Sequence, residues 1–222
     1  MLTSKLYLIL PLLFLFSSCT EASTEQVTDL EARTVAPVDT TGLSKATFAG
    51  GCFWCTEAYF ERLQGVEAVV SGYAGGKKAN PTYQEVSAGA TDYAEAVQVY
   101  YKPDKITYQQ LLEVFFATHD PTTLNRQGPD HGKQYRSVVF YRTPEEKRMV
   151  DEYIQKLESA GTYRNKIVTK VQPFRKFWDA EDYHQDYYRL NPNDPYVQSV
   201  ARPKVLKFES SYSKLLKPEY IE

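Results

Sequence analysis

The alternation of apolar and polar residues predicts strands and helices in a regular order between residues 43 and 203. Alternating or continuous apolar runs rich in Val, Ala and aromatic residues predict strands, while apolar periodicity and helix-end residues predict helices. Strands are predicted at 45–49, 66–73, 94–101, 137–141 and near 167–171, and helices at 53–64, 82–87, 107–118, 144–160 and 181–189.

Two strand–helix–strand units follow each other in this series, an order typical of the split βαβ pattern of ferredoxin-like sandwiches. We therefore expect an α+β fold, a two-layer α/β sandwich with a ferredoxin-like core and a mixed, mainly antiparallel sheet. One domain is expected to cover residues 43–203. The tail at 204–222 is basic and aromatic, without glycine or cysteine, and its sequence favours neither order nor disorder.

The first 18 residues have the features of a secretory signal. Eleven apolar residues, 6–16, are too few to span a bilayer and fit the apolar region of a signal peptide. The small residues ahead of Cys19 resemble a bacterial lipoprotein signal, in which Cys19 is acylated and becomes the anchor. The alternative is an ordinary signal peptide cut near Ser18 or Ala22. In either case we expect the protein in the bacterial cell envelope, in the periplasm or anchored to a membrane.

Residues 19–42 separate this signal from the domain. They are rich in Thr, Ala, Glu and Val and contain no aromatic residue. This is too little apolar area to offset the entropy of ordering the segment. We expect a flexible tether that holds the domain away from a membrane surface.

A cysteine stands where the first predicted helix begins, in the stretch GGCFWC at residues 50–55. The two glycines let the backbone turn sharply ahead of the thiol, and Phe53 and Trp54 supply apolar surface beside it. Backbone N–H groups and the dipole at a helix N-terminus favour negative charge, so we expect Cys52 to hold more thiolate than a free cysteine. Cys52 is therefore a candidate nucleophile.

The second thiol, Cys55, completes a C-x-x-C pair, which is only moderately specific. Such pairs also serve zinc sites and thioredoxin-like redox sites, and a structural disulfide or two small buried side chains are the structural alternatives. A thioredoxin-like fold would usually carry Trp before the first cysteine and Pro between the two. Neither is present here.

Composition argues against two other classes of site. The 222 residues include 26 basic and 28 acidic side chains, a net charge of −2, and this lack of a basic excess argues against a nucleic-acid partner. Zinc needs four ligands, yet after removal of a leader only Cys52 and Cys55 remain, with His119, His131 and His184 scattered and not at ligand spacing. No metal site is predicted.

Several separated sequence blocks occur in the order found in a known family. They are GCFW at 51–54, SGYAGG at 71–76, NPTY at 80–83, YAEAV at 93–97, HDPT at 119–122, NRQGPD at 125–130, GKQYRS at 132–137 and AEDYHQDY at 180–187. Over about residues 45–195 the chain resembles the A-type peptide methionine sulfoxide reductases. The resemblance implies the same architecture and the reduction of methionine-S-sulfoxide, in proteins and as the free amino acid, to methionine.

Such a reaction needs a soft nucleophile for the sulfoxide sulfur and a proton donor for its oxygen. Cys52 is the expected nucleophile. Glu95 is the expected proton donor, because partial desolvation in an apolar strand keeps a carboxyl protonated and because it matches the family's acid. The resemblance also implies Tyr83 and Tyr135 as hydroxyl donors to the oxygen, Asp130 as a carboxylate that holds the polar network, and Phe53 and Trp54 as the pocket for the substrate methyl group.

The attack leaves a sulfenic acid on Cys52 that a thiol must clear. Many members of the family use cysteines in a C-terminal tail, whereas this chain has none there and has Cys55 where the common motif has glycine. Side chains at i and i+3 of a helix lie near each other, so a Cys52–Cys55 disulfide is geometrically reasonable. We expect a thioredoxin-like dithiol protein to reduce it, and a monomer without a bound cofactor.

Two other functions would also account for the pair of cysteines. A general thiol–disulfide oxidoreductase needs only the C-x-x-C pair, and a non-catalytic envelope binding module needs only a structural disulfide. Neither has a use for a cluster of Glu95, Tyr83 and Tyr135, so the presence of that cluster discriminates among the three hypotheses.

Overall fold

Residues 39–221 of the chain are described by a computed structural model. The strands are β1 (Ser44–Gly50), β2 (Val66–Ala74), β3 (Ala94–Tyr101), β4 (Arg126–Gln127), β5 (Asp130–His131), β6 (Ser137–Tyr141), β7 (Lys170–Pro173) and β8 (Phe177–Asp179). The helices are α1 (Phe53–Glu61), α2 (Tyr83–Ser87), α3 (Tyr108–Thr118), α4 (Pro144–Ser159), α5 (Tyr187–Leu190) and α6 (Arg202–Tyr212), with a π-helical turn at Val197–Ala201.

Six of these strands form one sheet in the order β7-β6-β1-β3-β2-β8, and β4 and β5 form a separate hairpin. The four central strands run antiparallel to their neighbours in the order that two interleaved βαβ units produce. At the edges β8 is antiparallel to β2, and β7 is parallel to β6. The expected ferredoxin-like core with a mixed, mainly antiparallel sheet is confirmed.

Side chains alternate along the central strands and so divide between two hydrophobic clusters, one on each face of the sheet. On the helical face Phe48 of β1 stacks on Phe60 of α1, with ring centroids 5.2 Å apart. On the opposite face lie Ala94 and Ala96 of β3. Because Glu95 stands between these two alanines, its side chain projects to the helical face, towards the start of α1.

One segment, residues 170–179, lies along both edges of the sheet. It begins as β7 at one edge and ends as β8 at the other. Between the two strands it carries Phe174, which with Phe177 packs on the smaller apolar cluster. The guanidinium of Arg142 lies 4.0 Å from the ring centroid of Phe174. The second face of the sheet is therefore covered by a connection between strands rather than by a helix.

Residues 204–221, whose order the sequence left open, fold against α1. Phe208 of α6 is buried, and its ring centroid lies 5.3 Å from that of Tyr59 in α1. Beyond α6, Leu216 is also buried and forms an isolated antiparallel bridge with Leu63. These residues are therefore part of the main hydrophobic core.

The helix predicted at 181–189 is wrong. A 3₁₀ turn at Asp182–His184 and the one-turn helix α5 stand in its place. Asp186 between them has a φ of 56°, a left-handed conformation that interrupts a right-handed helix. The first helix is also three residues shorter at its C-terminus than predicted, and the strand predicted near 167–171 begins only at Lys170. The sequence did not predict β4, β5, β8 or α6.

The predicted signal at 1–18, the acylated Cys19 and nearly all of the tether at 19–42 lie outside the described residues. They stay predictions. Within residues 39–221, no helix is long and apolar enough to cross a membrane.

Candidate active site

A sharp turn between β1 and α1 presents Cys52. Gly51 has a φ of 102°, and a Cβ at this position would lie 2.6 Å from Cγ of Gln127, so both its backbone and its surroundings require glycine. Gln127 is held by two 3.1 Å bonds to the backbone of Asp120. Cys52 then occupies the N-cap position, where its carbonyl accepts bonds from the N–H and the hydroxyl of Thr56 while its side chain caps nothing. The sulfur is thereby left available for other contacts.

The two thiols form a hydrogen-bonded pair. Both cysteines are reduced and buried. Burial, followed by the bond to Cys55, raises the pKa of the Cys52 thiol well above its ordinary value. The hydrogen bond from Cys52 in turn lowers the pKa of Cys55. The expectation that Cys52 holds more thiolate than a free cysteine is thus wrong for this state, because burial of the thiol outweighs the helix dipole. The opposite shifts of the two pKa values favour the first negative charge of the pair on Cys55.

Glu95 lies next to this pair with 2% of its surface exposed. Its Oε2 accepts a hydrogen bond of 3.1 Å from the backbone N–H of Phe53, the residue after Cys52. Burial, and then the negative charge on Cys52, raise the pKa of the Glu95 carboxyl well above its usual range. Burial therefore favours the protonated form of this carboxyl, the direction that its place in an apolar strand predicts.

Two phenols lie near the same carboxyl and thiol. Tyr83 begins α2 after a capping box, and its ring stacks on Phe53 with centroids 6.4 Å apart. Burial, then the charges of Glu95 and Cys52, raise the pKa of Tyr83 to about 12. Tyr135 ends a 3₁₀ turn, and burial followed by the charge of Glu95 raises its pKa as well. Both phenols therefore keep their protons and can act as hydrogen-bond donors.

Phe53 and Trp54 form an apolar wall beside the thiol. Phe53 is buried, and Trp54 is partly buried and stacks on Tyr187, with ring centroids 3.7 Å apart and planes 8° apart. The indole N–H of Trp54 donates to Nδ1 of His184 at 3.2 Å. Burial lowers the pKa of His184 to about 4, so the imidazole is neutral and Nδ1 is free to accept this bond. His184 therefore fixes the orientation of the Trp54 ring.

Asp130 and Tyr196 complete the site. Asp130 is in the β4–β5 hairpin, and its Oδ2 accepts a bond of 2.7 Å from the hydroxyl of Tyr196. The same hydroxyl acts on the two thiols and lowers the pKa of Cys52 and of Cys55, although for each thiol other causes of the shift are larger. Oδ1 of Asp194 accepts a bond of 2.9 Å from the backbone N–H of Tyr196 and holds it in place.

The structure brings the catalytic and substrate-binding residues predicted from the sequence together around the two thiols, and it adds others that sequence reasoning did not assign. The additions are Glu181, His184, Tyr187, Asp194 and Tyr196. The first three lie in the block AEDYHQDY, whose histidine flanked by aromatic residues was the available signal. Tyr196 has no such signal, because its role depends on contacts with residues far away in sequence. Within residues 39–221 the structure shows no cluster of three or more His, Cys, Asp or Glu side chains suited to a metal ion.

A pair of thiols beside a buried carboxyl, two phenols and an apolar wall defines a thiol-dependent oxidoreductase. The model of the family described as peptide methionine sulfoxide reductase matches residues 44–216. The chain belongs to this family, in its A type, and is an enzyme that reduces methionine sulfoxide.

Individual relatives agree with this assignment. Peptide methionine sulfoxide reductase MsrA 1 of Rhodopirellula baltica is 53% identical over 176 residues, which cover 79% of this chain and 91% of that protein. MsrA 2 of Synechocystis is 45% identical over 209 residues, 93% of this chain and 95% of that protein. The crystal structure of reduced Mxr1 from Saccharomyces cerevisiae is similar with a TM-score of 0.63 and 39% identity, covering 68% of this chain and 87% of that one.

Proposed function

We propose that this enzyme reduces the S epimer of methionine sulfoxide, in proteins and as the free amino acid, with Cys52 as the nucleophile and Glu95 as the acid. One observation carries the proposal: the buried carboxyl of Glu95 is bonded to the N–H of Phe53, directly after Cys52. A thiol and a proton donor are therefore adjacent, which is the pairing that the sulfur and the oxygen of a sulfoxide require. The preference for the S epimer follows from membership of the A type.

In the first step the substrate oxygen passes to Cys52. When the thiol pair loses one proton and the remaining proton is on Cys55, Cys52 attacks the sulfoxide sulfur as a thiolate. Glu95 gives its proton to the oxygen, and the resulting hydroxyl group is transferred to the Cys52 sulfur. Methionine leaves with two more electrons than the sulfoxide had, Cys52 becomes a sulfenic acid, and Glu95 becomes a carboxylate.

The surrounding side chains position the substrate. Tyr83 and Tyr135 donate hydrogen bonds to the sulfoxide oxygen and stabilise its developing charge. Phe53 and Trp54 enclose the methyl group on the substrate sulfur. The bond from Trp54 to His184 supports this role, because it holds the indole ring at one angle to the thiol.

In the second step Cys55 attacks the sulfenic acid and closes a disulfide with Cys52. The positions of the two cysteines support this step, because Cys52 at the N-cap and Cys55 in the first turn of α1 are three residues apart, and each thiol shifts the pKa of the other. A thioredoxin-like dithiol protein then reduces the disulfide by exchange, which supplies the two electrons consumed in the first step.

The proposed setting is the bacterial cell envelope, with the enzyme a monomer tethered by a lipid on Cys19. The sequence ahead of that residue supports this anchor. Replacement Cys19→Ser would then move the protein from the membrane fraction to the soluble fraction, whereas unchanged fractionation would point to another mode of attachment.

The reaction is tested with the two methionine sulfoxide diastereomers, each supplied separately with dithiothreitol. We expect turnover of the S form and little of the R form, and lack of turnover of the S form would contradict the proposal.

The disulfide is tested by mass spectrometry of enzyme exposed to substrate without reductant. The peptide that holds Cys52 and Cys55 is expected to lose two hydrogens, and a stable sulfenic acid on Cys52 beside a free Cys55 would show that an external thiol performs the second step.

A further inference from the structure

We propose that the exposed ring of Tyr183 binds the polypeptide next to the oxidised methionine and favours substrates with a large apolar or aromatic residue there. The inference rests on the proposed function, because it takes the site beside Cys52 to hold the sulfoxide. It adds a contact with the substrate outside that site, made by a residue without a part in the chemistry.

Tyr183 is unusually exposed for an aromatic side chain. Within residues 39–221 it is one of four large hydrophobic residues that are exposed, and the one aromatic among them, with an exposed fraction of 61%. Such a ring adds little to the core. On a binding surface, however, an aromatic ring offers a large contact area at a low cost in conformational entropy.

The Tyr183 ring continues the aromatic wall of the site. Its centroid lies 4.2 Å from that of the buried His184. The His184 ring in turn lies 4.2 Å from the ring of Tyr83 and 5.0 Å from that of Phe53. A row of contacting rings therefore leads from the buried Phe53 beside the thiol to the surface at Tyr183.

These distances suit a residue that neighbours the oxidised methionine. In the proposed mechanism the sulfoxide oxygen contacts Tyr83, and two ring-to-ring steps of 4.2 Å separate Tyr83 from Tyr183. An extended chain advances about 3.4 Å per residue. A residue one or two positions from the methionine can therefore lay its side chain on the Tyr183 ring, whereas the free amino acid has no such neighbour.

The turn that carries Tyr183 is fixed to the core before any substrate binds. The two carboxylate oxygens of Glu181 accept bonds of 2.8 Å each, one from the N–H of Tyr83 and one from the hydroxyl of Tyr73. The N–H of His184 donates to the carbonyl of Glu181 at 2.9 Å and closes the 3₁₀ turn. Because the turn is already held in place, binding a substrate against the ring costs little backbone entropy.

Two short capped peptides test the contact, one with phenylalanine and one with glycine on both sides of a single methionine-S-sulfoxide. They differ only in the flanking side chains. With wild-type enzyme and dithiothreitol, we expect kcat/KM for the phenylalanine peptide to exceed that for the glycine peptide by about tenfold. Tyr183→Ala should reduce this ratio to about one, through a higher KM for the phenylalanine peptide.

Tyr183→Phe and Leu206→Ala are the controls. Tyr183→Phe keeps the ring and should keep the wild-type ratio. Leu206 is 50% exposed on α6, outside the row of rings, so Leu206→Ala should leave kcat/KM for both peptides unchanged. Loss of the ratio in Tyr183→Phe would assign the preference to the hydroxyl and overturn a contact made by the ring. A lower kcat for both peptides in Tyr183→Ala, with an unchanged ratio, would reduce Tyr183 to a support for His184 and also overturn the proposal.

The two peptides also separate this proposal from the proposed function. Equal kcat/KM for both peptides with wild-type enzyme, or the wild-type ratio in Tyr183→Ala, would overturn the binding role of Tyr183 and leave the reduction of methionine-S-sulfoxide intact. No reduction of either peptide or of the free S epimer by wild-type enzyme would instead contradict the proposed function itself.

Discussion

The active site is assembled from two regions that are built differently. The strand–helix core, residues 44–141, presents Cys52 at a helix start and Glu95 in the centre of a sheet. The C-terminal region, residues 180–216, presents its contacts from a 3₁₀ turn, a one-turn helix and a π-helical turn, around Asp186 in a left-handed conformation. Cys52 and Glu95 thus come from regular backbone, whereas the contacts from the C-terminal region come from irregular backbone, although both regions contribute to one site.

The difference in backbone structure between the two regions matches a difference in the roles of their side chains. In the proposed mechanism the core contributes the groups that exchange atoms or protons with the substrate, and burial in the core favours the protonated form of Glu95. The C-terminal region contributes contacts that hold side chains of the site: His184 and Tyr187 orient Trp54, and Tyr196 donates a hydrogen bond to Asp130. Substitutions in the core should therefore abolish or slow the chemistry, whereas those in the C-terminal region should change positioning or stability.

The largest effect is expected for Cys52→Ser. A hydroxyl is far less nucleophilic than a thiolate and adds no bulk, so methionine formation should be abolished while the fold stays intact. The measurement is methionine release from the S epimer, with circular dichroism as the check on folding. Appreciable turnover by the folded variant would show that Cys52 is not the nucleophile.

Glu95→Gln should slow the chemical step by about a hundredfold or more, because the amide has the same shape but cannot supply the proton. In wild type the rate should fall at low pH as the thiol pair gains its second proton. It should fall again at high pH as Glu95 ionises, at a pH well above the usual range of a carboxyl because burial raises its pKa. The measurement is the single-turnover rate against pH. An alkaline limb that persists unchanged in Glu95→Gln would assign proton delivery to another group.

Cys55→Ser separates the chemical step from recycling within one helical turn. The variant should still release about one methionine per enzyme in a single turnover, since Cys52 and Glu95 are intact. Steady turnover with a thioredoxin-type reductant should fall by at least about tenfold, because no disulfide forms for it to attack. Small thiols should restore part of the rate. Full activity with the protein reductant would contradict a resolving role for Cys55.

The smallest effect on the chemistry is expected in α6, where Phe208→Ala tests whether the C-terminal region acts through stability. Phe208 is buried against Tyr59, and its truncation should cost about 3–5 kcal/mol of unfolding free energy. Leu206→Ala on the same helix is the control: this side chain is 50% exposed, so its loss should change stability by less than about 0.5 kcal/mol. Urea unfolding measures both. Equal stabilities would show that α6 is not a part of the core on which α1 depends.

The sequence predicts the core of the fold well and the C-terminal region poorly. The split βαβ order follows from runs of apolar residues long enough to show their period, and β3 and β6 begin and end where predicted. The predicted helix at 181–189 fails because one left-handed residue, Asp186, ends any continuous helical pattern. The strands β4, β5 and β8 have two or three residues each, too few to show alternation.

Some features of the active site can likewise be predicted from the sequence, and others cannot. Cys52 is predicted from local chemistry, since a thiol after two glycines at a helix start is visible in the sequence. The relative acidity of the two thiols is not, because burial and the bond between Cys52 and Cys55 outweigh the helix terminus. Tyr196 is one of 18 tyrosines, and only the folded chain shows that this one donates a hydrogen bond to Asp130.

The segment at residues 170–179 has a consequence for aggregation. An open sheet edge offers unpaired N–H and C=O groups to strands of other chains. Here one connection supplies both edge strands, each short, and β7 runs from Lys170 to Pro173, a charge and an imino acid that discourage further pairing. These two edge strands pair with β2 and β6. Detachment of this one segment would expose β6 and β2 to intermolecular pairing at the same time, so a single connection protects both sides of the sheet.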